Sequence, residues 1–167
     1  MPMGRVLYSQ DGGLHTLRYV GEIKYPIAPS IDKFVKTLIQ NNAIDDLVVD
    51  LTETDSIDST NLGELARIAL RLREQGRRKP VIVSPQTSIN HLLRSMALDE
   101  VFELTVQVQP FDGDDIPTDV ETTREELAAV MLESHKSLAQ MGEANRQKFC
   151  DVIALLEKDA NKPRGHS

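Results

Sequence analysis

The chain has 167 residues, 40% of them hydrophobic and 27% charged, with a net charge of -7. Such a composition fits a globular soluble protein with one core and an appendage, and the acidic balance excludes a general affinity for nucleic acid or anionic lipid. No apolar run approaches the roughly 20 residues needed to span a bilayer, the N-terminus lacks a signal-peptide core, and Cys150 stands alone, so a cytoplasmic protein without disulfides is expected.

Residues 5–9 read as a short strand, closed by the turn Asp11-Gly12-Gly13. Residues 14–20 alternate and complete a hairpin that Gly21 ends. From Ile27 the period changes: Ile27, Ile31, Phe34, Val35, Leu38 and Ile39 share one helical face, with Pro29 in the first turn and Asn41-Asn42 as the stop. Residues 47–51 form a nearly all-apolar strand, as a sheet covered on both faces demands. The polar cluster Asp58-Ser59-Thr60-Asn61 then opens a second helix with a stripe of Leu62, Leu65, Ala66, Ala69 and Leu72, ending at Gly76. The cations Arg71, Arg73, Arg77, Arg78 and Lys79 read as its solvated C-terminal end.

Residues 80–84 are another buried strand, residues 87–97 a third helix, and residues 101–108 an alternating strand that closes the sheet. The order is close to ββαβαβαβ, with right-handed crossovers between parallel strands. The expected division is a domain over 1–110, an acidic linker over 111–119, a helical extension over 120–160 and a disordered tail over 161–167.

The sequence carries no phosphate-cradling glycine signature, no nucleophile elbow and no cluster with metal-ligand spacing. His15, His91, His135 and His166 are scattered; His91 reads as a surface residue and Cys150 as a structural thiol. No cofactor, metal or catalytic residue is therefore expected. Asp58-Ser59-Thr60 leaves two readings open. The bland one is a helix cap, because orphan amides need side-chain acceptors. The functional one is a phosphorylated hydroxyl, which a helix start tolerates through its free amides and positive dipole end.

Three segments in this order resemble the STAS domain, and within it the bacterial anti-sigma factor antagonists. They are GEIKYPIAPSIDKFVKTLI, LVVDLTETDSIDSTNLGEL and VIVSPQTSINHLLRSMALDEVFEL, together spanning roughly residues 5–108. The resemblance implies an α/β STAS fold, a mixed sheet with packed helices, followed here by a C-terminal helical extension. It implies phosphorylation at Ser59, with Thr60 as second choice, by a partner that is both anti-sigma factor and serine kinase. Unphosphorylated antagonist binds that partner, phosphorylation releases it, and a PP2C-type phosphatase restores it. The implied docking surface takes in Glu22, Lys24, Asp58 and the exposed sides of Asn61 and Glu64. Two positions depart from the family pattern: Asn61 replaces a glycine, and Lys24 replaces an acidic residue, where it can pair with phosphate or alter charge matching. The extension resembles longer antagonists of partner-switching systems that control motility and biofilm formation. Two other classes compete: a STAS subunit of an ABC-type transport complex that binds an ATPase without phosphorylation, and an α/β enzyme or nucleotide binder, which the missing phosphate loop disfavours.

Residues 122–159 carry a heptad-like seam of Met131, His135, Leu138, Gly142, Asn145, Phe149, Val152 and Leu156. One straight helix would be roughly 57 Å long, too long for this domain to bury. The seam can fold back near Gly142, pair with a second copy, or dock on the partner protein. Because His135, Gly142 and Asn145 suit a permanent coiled coil poorly, an exchangeable contact is expected, including a homodimer through this helix.

Overall fold

The computed structural model describes residues 4–41, 43–118 and 121–161. Asn42, one of the expected helix stops, and the tail from Lys162, expected to be disordered, lie outside the described residues, as do Asp119 at the end of the expected linker and His166. Seven strands are described: β1 (Arg5–Asp11), β2 (Leu14–Ile23), β3 (Asp46–Asp50), β4 (Thr54–Ile57), β5 (Val81–Val83), β6 (Glu103–Thr105) and β7 (Asp114–Asp115). They make one mixed sheet in the order β6-β5-β3-β2-β1-β7, with β4 also pairing to β2. The β1–β2 hairpin and the β1–β7 pair are antiparallel, and every other pair is parallel.

Five helices accompany the sheet: α1 (Ala28–Gln40), α2 (Ser59–Glu74), α3 (Thr87–Ser95), α4 (Arg124–Ala139) and α5 (Glu143–Ala160). The alternation of β2 aims Leu17, Tyr19 and Ile23 inward, where Ile31 and Val35 of α1 and Leu62, Leu65 and Leu72 of α2 meet them in one core. Leu138 of α4 and Phe149 of α5 belong to that same core, so the extension packs on the domain.

The structure departs from the sequence reading at definite points. Gly21 does not end β2. A bulge between Gly21 and Glu22 lets the strand run on to Ile23 and take β4 as a further partner. β4 itself was not expected, because Thr-Asp-Ser-Ile buries only its two ends. The last expected strand shrinks to three residues: Phe102 is tied back to the Leu98 carbonyl, while Val106 and Val108 are 64% and 50% exposed. The expected linker contributes β7 instead of hanging free. The Ile116 amide donates to the Val6 carbonyl at 2.8 Å, and the Arg18 guanidinium lies 4.6 Å from the Phe111 ring centre. Cys150 is exposed on α5, so its thiol fills no space in the core.

The extension takes the first of its three options, a hairpin broken at Gly142. This residue has φ 150 and ψ 173, a conformation essentially reserved for glycine, which is why the chain turns there. His135, a misfit in a coiled coil, is buried, and so is Asn145.

Candidate functional site

The end of β4 delivers Asp58 and Ser59 to the edge of the sheet. Ile57 pairs with Ile23 of β2, and the Asp58 amide donates to the Ile23 carbonyl at 3.0 Å. Lys24 therefore follows directly beside Asp58. Glu22 pairs with Ser56 in the same ladder, so it and Lys24 stand near the start of α2. Lys24 Nζ lies 3.6 Å from Glu22 Oε2, with its side chain 67% exposed.

Asp58 is the helix cap. Its Oδ1 accepts the Asn61 amide at 3.0 Å and the Asn61 side-chain Nδ2 at 2.8 Å. The Asn61 side chain thus ties itself back to the cap at the position where the resembling family has glycine. Thr60 is buried. Ser59, half-buried, is not spent on capping. Its Oγ lies 3.0 Å from His135 Nε2 of α4.

Asn61 and Glu64 offer no exposed side. They are 2% and 1% exposed: Asn61 is turned in and tied to Asp58, and Glu64 lies under Ser134 of α4 where the sequence pattern predicts solvent. The close approach depends on Gly63: a methyl there would collide with the backbone carbonyl of Ser134. Glu64 sits in a buried polar cluster. Its Oε1 is 2.8 Å from Ser134 Oγ and 3.2 Å from Arg67 Nη1, and Arg67 in turn reaches Asp32 Oδ1 of α1 at 3.2 Å. Burial raises the Glu64 carboxyl to about 7; Asp32 adds to the shift and Arg67 opposes it.

Ser134 Oγ also lies 2.7 Å from the Val130 carbonyl, so one hydroxyl proton faces two acceptors. Ser134 Oγ donates to Glu64 Oε1, a bond that favours the charged carboxylate and opposes the upward shift. Nearby, burial and Glu64 together hold the Tyr19 phenol above its ordinary range.

His135 and Ser134 are the site residues that the sequence reading did not assign. Only His135 had a signal, in the seam, where it and Asn145 stand at positions that a simple helix pair fills with apolar side chains; Ser134 lies outside the seam and had none. Among the described residues, no group of three metal-ligating side chains could hold a metal ion, and no helix is long and apolar enough to cross a membrane.

Three solved structures with closely similar coverage share the architecture. The anti-sigma factor antagonist SpoIIAA in its unphosphorylated form matches with a TM-score of 0.53 at 15% identity, over 60% of this chain and 87% of that one. An anti-sigma factor antagonist from Mycobacterium paratuberculosis matches with a TM-score of 0.53 at 19% identity, over 64% and 88%. The Bacillus cell fate determinant SpoIIAA in the phosphorylated form gives 0.51 at 15% identity, over 60% and 90%. Among curated proteins nothing matches. The family model of the STAS domain matches residues 6–110, which run from β1 to the end of the sheet core and contain the whole of α2 with Ser59 at its start. By that match, and by the mixed sheet and helices that carry it, the chain belongs to the STAS domain family.

Proposed function

We propose that the chain is a cytoplasmic anti-sigma factor antagonist, a partner switch with no catalysis of its own, and that Ser59 is its phosphoacceptor. Unmodified, it binds an anti-sigma factor that is also a serine kinase. Phosphorylation at Ser59 releases it, and a PP2C-type phosphatase resets it. The observation that carries this reading is the division of labour between Asp58 and Ser59. Asp58 caps α2, so the neighbouring hydroxyl is left over at the positive end of the helix. A phosphoryl group adds roughly -1.5 to -2 charges there, which the helix start tolerates and a docked partner does not. Burial of Thr60 favours Ser59 over its neighbour. Membership of the STAS family, and anti-sigma factor antagonists among proteins of the same fold, support the role. In this reading Glu22, Lys24 and Asp58 form the standing edge of the docking surface, with Asn61 held to the Asp58 cap at its side, and Glu64 joins it where α4 lifts away.

Incubating the full chain with ATP and serine kinases from a bacterial cytoplasm, read by intact mass, tests the assignment. One phosphoryl group should appear on the wild type, map to Ser59, and be absent from Ser59→Ala. Transfer to another residue, or none with any kinase, overturns it.

A further inference from the structure

The Ser59–His135 contact fixes where each proton sits. His135 Nδ1 lies 2.6 Å from the Met131 carbonyl, which can only accept, so Nδ1 carries a proton. In the neutral ring Nε2 is then a bare lone pair, and the Ser59 hydroxyl donates to it at 3.0 Å. The ring cannot easily turn elsewhere. It is 3% exposed and meets the Phe149 ring of α5 edge-on, with centres 5.4 Å apart. One residue before it, Ser134 is held against Glu64 and Gly63 of α2. The hairpin thus sits on the first turns of α2 and uses the single proton of Ser59.

Phosphoryl transfer from ATP forms a bond from Ser59 Oγ to phosphorus and breaks the bond to the ADP leaving group. The serine proton goes to the kinase's base or to water. What remains beside Nε2 is an ester oxygen and a dianion, with no proton to share. A lone pair then faces lone pairs beside a buried ring, and the docked hairpin loses its contact. Coupling of this kind is reciprocal, so a docked hairpin opposes the modification to the same degree.

We infer that the α4–α5 hairpin is an intramolecular guard of Ser59, with His135 as the residue that senses whether the hydroxyl is free or modified. Docked, it withholds Ser59 and the α2 face beneath it. Modification of Ser59 keeps it off. The inference rests on Ser59 being the modified residue.

Its test needs no kinase. Phosphoserine can be installed at position 59 of the full chain during translation, and hydrogen exchange and the imidazole nitrogen shifts of His135 compared with the unmodified chain. The expected result is α4 exchange faster by roughly tenfold or more, with the sheet strands unchanged. An equally protected α4 with an imidazolium paired to the phosphate would overturn the guard and make the hairpin a clasp. Gly63→Ala is the companion variant. It opposes the close approach of α4 without touching Ser59 or His135, and it favours α2 itself. It should speed α4 exchange by a similar factor, and with a kinase that modifies the wild type it should be phosphorylated several-fold faster. Equal or slower transfer from a freed hairpin counts against the guard. If no kinase modifies Ser59, the proposed function fails while the phosphoserine comparison still decides the coupling.

Discussion

Two of the polar contacts that hold the hairpin have opposite chemical character. Over α2 the groups are the Ser59 hydroxyl, the His135 imidazole, the Ser134 hydroxyl and the Glu64 carboxyl, which can gain or lose a proton or accept a phosphoryl group. At the end of α3 the contact is the Asn145 side chain, whose Nδ2 donates to the carbonyls of Met96 at 2.8 Å and Leu138 at 3.0 Å. An amide and two carbonyls neither titrate near neutrality nor take a phosphoryl group. One anchor answers to solution chemistry and the other does not. The contrast teaches that a helix pair can be loosened over one surface while its other end stays tethered.

The largest expected effect exploits Glu64. Its folded value of about 7 stands above the ordinary 4.5, so the folded protein holds a proton that the unfolded chain has released. The charged and titratable groups around it are Asp32 of α1, Arg67 of α2 and Tyr19 of β2, with the Ser134 hydroxyl from α4. For a raised carboxyl the stabilising contribution is complete below the unfolded value and is lost as pH rises through the folded one. Urea unfolding from pH 4.5 to 8 should therefore show this group removing about 3 kcal/mol at most. Glu64→Gln should flatten that slope. A slope unchanged in the variant would assign the pH dependence elsewhere.

The titration-insensitive anchor should behave differently. Asn145→Ala removes two buried donations and costs about 2 kcal/mol in urea unfolding. That loss should be nearly the same at pH 5 and pH 8. A loss confined to one pH would erase the distinction between the two anchors.

These contacts explain what the sequence does and does not disclose. The α2 start is legible because Asp-Ser-Thr-Asn stands directly before a strong apolar stripe, a local signal. The destination of α4 is not local: Ser59 and His135 are 76 positions apart. Asn61 and Glu64 read as solvent-facing because polar residues on a helix usually are; the overlying α4 makes Glu64 interior, and Asn61 turns in against its own cap. β4 escaped notice for a related reason, since four residues with two buried ends give no period to detect. The misfits in the tail were the nearest thing to a clue. His135 and Asn145 each proved to have a specific polar partner, and Gly142 makes the corner.

The smallest expected effect on overall stability is the most discriminating. Ser59→Ala deletes the hydroxyl that His135 accepts but leaves Asp58 capping Asn61. Ser59 is half-buried, so water can reach the vacated spot and little packing is lost. The global cost should be about 1 kcal/mol or less. Asp58→Ala is the matched control, because it removes the cap and its second bond to the Asn61 side chain while Ser59 and His135 remain. It should cost more in urea unfolding, up to about 2 kcal/mol. The order should reverse in hydrogen exchange of α4, where Ser59→Ala loosens the hairpin and Asp58→Ala does not. If both variants shift the two measurements in the same proportion, Ser59 is only one more brace of the helix start, and the separate use of the two side chains fails.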